Sequence, residues 1–292
     1  PEKVSDKDFL TKRYTHQLQS DWKLDNRLDV HAALSYQDYK RRTRTTESDL
    51  STGEKWLSSA EASQDITQYK AWIARATVAW NIAPEFSVQP GVEYQWTQGE
   101  GGRIDGTPKV SGLAFFLSGE YKPWEWLSLR PGVRTFIVAD YDAPIAIPSV
   151  LTKFKLTKHM DLRLSYAYGF RSPTLQELYF SFHNDNHDID GNPDLKAEYS
   201  HNITGSVAYR VLHSEKIHLT TTLSGFYNDF RDKISLAQNV DIPNYNTYYN
   251  IDRYKTVGGS LENSLSWGGL RANLNVSLIG RYNRYATGDK SM

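Results

Sequence analysis

The chain contains no cysteine, which excludes disulfide scaffolds and thiolate metal sites. No apolar run approaches the ~18 residues that a membrane-crossing helix requires. An excess of one charge is missing too. Lys+Arg and Asp+Glu stand at 34 each, so no net field selects nucleic acid, and no basic run marks a groove for it. Catalytic signatures are equally scarce, with no Gly-x-Ser-x-Gly elbow, phosphate-cradling glycine loop or His-Glu-x-x-His helix. These absences leave open a protein that crosses a bilayer with strands of ~10 residues, in which only alternate positions are apolar.

What is present points that way. Aromatic residues make up 13%, Tyr alone numbering 19, although only 39% of residues are hydrophobic and the mean hydropathy is −0.60. That combination favours strands. Leu28, Val30, Ala32, Leu34 and Tyr36 alternate with Asp29, His31, Ser35 and Gln37. The same period of two places Trp72, Ala74, Ala76, Val78, Trp80 and Ile82 against Arg75, Thr77 and Asn81. After Ala83-Pro84-Glu85 it restarts with Phe86, Val88, Val92, Tyr94 and Trp96. Extended along the chain, it predicts about twelve strands.

The connections between them alternate in length. Short ones fall at 25–27, 83–85, 122–126, 157–160, 212–216 and 268–269; long ones fall near 38–68, 97–109, 139–148, 171–198 and 231–249. Tight turns at one end and long loops at the other describe an up-and-down antiparallel sheet of the transmembrane barrel kind. Tyr36, Trp72, Tyr94 and Trp96 lie toward the long-loop ends, and Trp22, Trp80, Phe86, Tyr121, Trp124 and Trp126 toward the short-turn ends. Two such bands match aromatic girdles at two membrane interfaces. A soluble sandwich is the alternative. The polar parity would then face a lumen, with Arg75, Glu93, Arg130, Arg134 and Arg163 on its wall.

The longest puzzle is Tyr168 to Glu198, "YGFRSPTLQELYFSFHNDNHDIDGNPDLKAE". Ser172-Pro173, Asp190-Gly191 and Asn192-Pro193 argue against helix or strand, so the stretch reads as an irregular surface loop. Its first part, "YGFRSPTLQELYF", is similar to the Phe-Arg-Ala-Pro strand end of TonB-dependent outer-membrane receptors, and "GNPDLKAE" to their Gly-Asn-Pro-x-Leu-Lys-Pro-Glu segment. "FYNDFRDKIS" at 226–235 and "YNTYYNIDRYKTVGGSLE" at 245–262 add two further ordered matches. Departures are Ser172 for Ala, Ala197 for Pro, and Ser260-Leu261 before Glu262.

The resemblance implies an all-β, up-and-down antiparallel transmembrane barrel of about 22 strands, in the outer membrane of a Gram-negative bacterium. It implies energy-dependent uptake of a scarce metal chelate, whether haem, a ferric siderophore or cobalamin. It further implies a plug that contacts the TonB-ExbB-ExbD transducer, and it leaves room for a surface lipoprotein partner. The chain starts at Pro1 and stops at Met292 in polar sequence, so residues 1–292 read as a partial barrel domain whose plug lies elsewhere.

Within the loop, Arg171 and Glu198 form an opposite-charge pair that would fix it to the barrel rim, with Pro173, Asn192 and Pro193 stiffening it. Tyr179, Phe180 and Phe182, together with Arg171, are candidate cargo contacts. His183 or His187 would supply an axial nitrogen if the cargo is haem, since receptors of the resembled family that take haem carry such a His between these two boxes. Asn186, Asp188, Asp190 and Gly191 match half of a calcium loop, whose bidentate acid is replaced by Ala197. A porin or a barrel hydrolase is the remaining alternative, the latter having only His31 and Ser35 as a seed.

Overall fold

The computed structural model describes residues 3–60, 63–138, 141, 143–184, 187–214, 216–239, 242 and 244–284. Twelve strands follow one another as antiparallel neighbours: β1 (Lys3–Lys23), β2 (Leu28–Asp49), β4 (Ile66–Ala83), β5 (Phe86–Glu100), β6 (Lys109–Trp124), β7 (Leu127–Val138), β8 (Ile147–Lys155), β9 (Met160–Arg171), β12 (Glu198–His213), β13 (Ile217–Gln238), β14 (Tyr245–Trp267) and β15 (Leu270–Arg284). The short β3 (Lys55–Leu57) pairs with β2, and β10 (Ser181–Asn184) with β11 (His187–Asp190). One helical turn, α1 (Leu175–Tyr179), completes the inventory among the described residues. The sheet is open, β1 and β15 each pairing with one strand.

Strand positions follow the period-two reading, but several strands run further. β2 continues to Asp49 and pairs with β1 up to Lys3, and β13 pairs with β14 as far as Gln238 opposite Asn246. The expected loops at 38–68 and 231–249 are therefore largely strand. The reason is local: Thr43, Thr45 and Thr46 are β-branched and favour the extended chain, while the charged residues between them remove the apolar alternation.

Burial is inverted relative to a water-soluble core. Leu34, Trp72, Trp80, Phe115, Val133 and Leu223 are exposed, whereas Thr43, Thr67, Thr77, Glu93 and Ser200 are buried. A sandwich would cover that apolar face with a second sheet, and all strands here belong to one sheet. Tyr36, Trp72 and Trp96 stand opposite one another across β2, β4 and β5, with Tyr36 and Trp72 centroids 4.5 Å apart. Phe86–Tyr121 and Trp124–Trp126 form the other row, at 6.1 and 5.1 Å. From Trp72 to Trp80 is eight residues, ~26 Å along the strand at ~3.3 Å each and ~20 Å of height at the ~40° tilt of barrel strands, close to the ~25 Å of an outer-membrane apolar band. Replacing Trp72 by Ala removes one girdle pair, and urea unfolding from vesicles should show a loss of about 0.5–1.5 kcal/mol.

Glu93 is 1% exposed on the inner face. It accepts hydrogen bonds from Arg75 Nε (2.5 Å), Arg134 Nη2 (2.6 Å) and Gln95 Nε2 (2.6 Å), so the buried charge is compensated on β4, β5 and β7. Arg130 donates to Glu120 nearer the short turns.

Candidate functional site

The connection 172–197 leaves the end of β9 and returns at the start of β12, where Arg171 and Glu198 are register partners. The Arg171 guanidinium is gripped on two sides. Its Nε and Nη2 donate to Glu198 (2.8 and 2.6 Å), and its Nη1 and Nη2 donate to Glu177 (2.9 and 3.1 Å). Glu198 also accepts from the Ile234 amide at 2.6 Å, which ties the junction to β13. The two carboxylates hold the guanidinium protonated well above its ordinary range. Burial pushes the Glu177 carboxyl up, but hydrogen bonds from Arg171 and Thr174 outweigh it and leave the group below its ordinary range.

Glu177 belongs to α1, and here the reading of an irregular loop needs correction. Thr174 caps the turn by accepting from the Glu177 amide (3.2 Å), and the Glu177 carboxylate accepts from the Thr174 amide (2.7 Å). That is a capping box. It puts Leu175 and Leu178 on the buried side, where Leu178 packs with Leu195 and Ile234, flanked by Tyr179 and Tyr248. Tyr179, a candidate cargo contact, thus serves the connection's own small core. Arg171 is likewise taken up with its two carboxylates.

Polar contacts finish the tie. Asn192 Oδ1 accepts from the Asp194 amide (2.9 Å), an Asx turn across exposed Pro193, and its Nδ2 donates to the Tyr248 carbonyl (2.9 Å). Pro173 is buried. Asn250 Oδ1 accepts from the Lys196 amide and its Nδ2 donates to the Lys196 and Asp232 carbonyls. Gly191, read as a turn glycine, does not have the left-handed backbone; a Cβ there would lie 2.6 Å from the Leu178 carbonyl and 2.7 Å from the Phe180 amide nitrogen. Its role is close approach.

Between these ties β10 and β11 form a hairpin, β11 running parallel to β14. His183 projects from it with side chain 44% exposed. Its Nδ1 meets Asp188 at 2.5 Å, and its Nε2 meets Asp190 at 3.1 Å and Ser181 Oγ at 3.0 Å. The hydrogen bond to Asp188 is the main reason that this imidazole keeps its proton to a higher pH than usual. The side chain of His187 and all of Asn186 lie outside the described residues. Asp188 and Asp190 sit on a strand and turn toward His183, so the calcium-loop reading does not describe this conformation; the three side chains form a set able to hold a metal ion.

Phe180 and Phe182 come together at 6.4 Å, and the Arg103 guanidinium lies over the Phe182 ring at 4.0 Å. Backbone bonds from Asp105 to Tyr179 (2.8 Å) and from Ser181 to Arg103 (3.0 Å) join this connection to the one between β5 and β6. Arg103 was missed by sequence reading because it is some eighty positions away. No motif links the two.

A family model for the TonB-dependent receptor-like beta-barrel matches residues 3–291. The chain belongs to this family. It is therefore an outer-membrane β-barrel portion of a TonB-dependent receptor from a Gram-negative cell, and the family is one of receptors and transporters rather than enzymes. Such receptors work with TonB. The hemophore receptor HasR of Serratia marcescens, solved with its hemophore HasA and heme, matches with a TM-score of 0.71 at 15% identity, over 94% of this chain and 49% of its own. The ferric enterobactin receptor PfeA of Pseudomonas aeruginosa matches with 0.69 at 15% identity, over 92% and 43%. Among curated proteins, hemoglobin and hemoglobin-haptoglobin-binding protein C of Haemophilus influenzae is 38% identical over 82 residues, 28% of this chain and 7% of that protein. The chain spans less than half the length of these solved receptors, and the match covers a small part of the curated relative.

Proposed function

We propose that this TonB-dependent receptor captures haem, or a haem-bearing protein, for uptake across the outer membrane. The observation that carries the reading is His183, an imidazole displayed on a braced hairpin beside Phe180 and Phe182. Its partial relatives, hemoglobin and hemoglobin-haptoglobin-binding proteins, support the same cargo class. Another ferric chelate is the nearest neighbour of this reading, and cobalamin follows it. In the complete receptor a plug, outside residues 1–292, would close the barrel and couple it through TonB to ExbB and ExbD, and a surface lipoprotein would assist capture. Haem is cargo here, and no resident cofactor is proposed.

Ligation by His183 requires that Nε2 leave Asp190 and Ser181 and that the ring be neutral, with Asp188 still orienting Nδ1. Because its pKa is raised above the ordinary 6.5, the ion pairs of His183 steady the hairpin fully below that value and fade as pH rises through the raised one. Haemin affinity should climb over the same window. In the full-length receptor, replacing His183 and His187 together by Ala should weaken haemin at least about tenfold and shift its absorption band. Unchanged affinity and spectrum would remove ligation from the reading.

A further inference from the structure

Above the girdle row, on the inner face, the β5–β6 connection and the 172–197 connection roof a cavity of ≈ 260 Å³. Tyr39 and Arg41 of β2, Tyr69 of β4, Arg103, Gln176 and Phe180 line it. Arg41 stands five residues beyond Tyr36 along β2, ~16 Å toward the long loops. Its inward parity is that of buried Thr43 and Thr45.

The electrostatics are unbalanced. The Nε–H donors of Arg41 and Arg103 are both buried and have no acceptor among the described residues. Buried donors of this kind are rare in finished sites and ask for a partner. Asp65 is the nearby carboxylate, but its oxygens already accept from Thr67 Oγ1 (2.5 Å) and the Gly102 amide (2.6 Å). Lys7 adds a third cation. Burial first, and then the two arginines, ease its proton off below the ordinary lysine range. Burial likewise lowers Arg103, with Asp65 opposing and Arg41 assisting. Two planar guanidinium groups thus flank the space with unpaired Nε–H donors, the arrangement that recognises an anionic oxygen pair.

We propose that this cavity is a carboxylate subsite that receives an acidic arm of the cargo while the rest of the cargo lies against Phe180, Phe182 and His183. The volume suits this division, being below the range of about 300–1,000 Å³ that encloses a whole small ligand. Arg103 joins the two parts, since it lines the cavity and stacks on Phe182. The inference rests on the haem reading for its natural probe, because haem carries two propionate carboxylates.

The test uses the full-length receptor, haemin and haemin dimethyl ester, in which the carboxylates are masked. R41Q/R103Q should weaken haemin at least about tenfold, weaken the ester far less, since the ester loses only the support that Arg103 gives Phe182 by stacking on it, and leave the absorption band in place; the band belongs to His183. Added salt should narrow the difference between wild type and variant only for haemin. Equal haemin affinity of the two receptors, or an equal loss for haemin and ester, would overturn the subsite. If wild type bound neither compound, the haem reading would fall and citrate would decide the subsite alone. Citrate binding lost in R41Q/R103Q upholds it, and citrate binding that is absent or unaffected overturns it. Should R41Q/R103Q fail to insert, R103Q, which alters a connection and no strand, takes its place with the same outcomes.

Discussion

Arg171→Ala in the full-length receptor will leave the strands inserted and release the 172–197 connection. Removing the guanidinium strands Glu177 and Glu198, 16% and 12% exposed, face to face. Breaking a buried ion pair from one side costs about 3–5 kcal/mol, and the low end, about 3 kcal/mol, applies because Arg171 is itself 41% exposed. Hydrogen exchange should rise at Leu178, Phe180 and Ile234 while the girdle strands keep their protection. The pH dependence separates this cause from general damage. In the wild type, Glu177 has a lowered pKa, so its contribution is present above the ordinary 4.5 and is lost as pH falls through the lowered value. In the variant the two uncompensated carboxylates repel each other, and acid relieves them. Protection of the connection should therefore fall with acid in the wild type and recover with acid in the variant. Arg171→Lys should rescue only in part, since one ammonium cannot offer parallel donors to two carboxylates. Unchanged exchange at Phe180 and Ile234 in Arg171→Ala would show that the connection is held by its apolar cluster and not by the charges.

Strand positions were legible because alternation records which side of a sheet meets lipid. Trp72, Ala74 and Ala76 against Arg75 and Thr77 admit one register, and the structure keeps it. The tops of β2 and β13 were not legible, since beyond the membrane both faces meet polar surroundings and the alternation signal vanishes although pairing continues. In the connection, Arg171 and Glu198 could be picked out as opposite charges at its two ends. Glu177 could not, until the chain is seen to turn once between them. Yet Thr174-Leu-Gln-Glu177 carries a capping box in plain letters, and Ser172-Pro173 is no argument against a helical turn there: Pro173 precedes the cap and costs the turn no hydrogen bond. A five-residue helix has little stability of its own. Burial of Leu175 and Leu178 supplies it, and that is tertiary information. The same holds for Arg41 and Arg103, whose meeting depends on two connections folding inward over one face.

Gly191→Val is expected to detach the hairpin from α1. The position has no unusual φ, so the substitution strains no backbone angle; the obstacle is space. A Cβ at Gly191 would stand 2.6 Å from the carbonyl carbon and oxygen of Leu178 and 2.7 Å from the Phe180 nitrogen, all backbone atoms of an adjoining segment that cannot swing aside as a side chain would. The contact exists because the Gly191 amide donates to the Phe180 carbonyl at 2.6 Å and the Asn192 amide to the Glu177 carbonyl at 2.9 Å, so relief must break both. Overpacking costs about 1–3 kcal/mol when side chains can adjust, and the upper end or beyond is expected where only backbone can move. Ala should already show most of the effect, and Val should add to it. Gly269→Ala, with nothing within 4 Å of its Cβ, is the control and should be silent. Because Phe180, Phe182, His183 and the roof of the basic cavity all hang from this seam, Gly191→Val should lower haemin affinity and raise exchange at Phe180 together, with the barrel still migrating as folded. Full haemin affinity alongside a loosened seam would mean that the hairpin binds cargo without being docked, and the connection would then act as a tether rather than a preformed site.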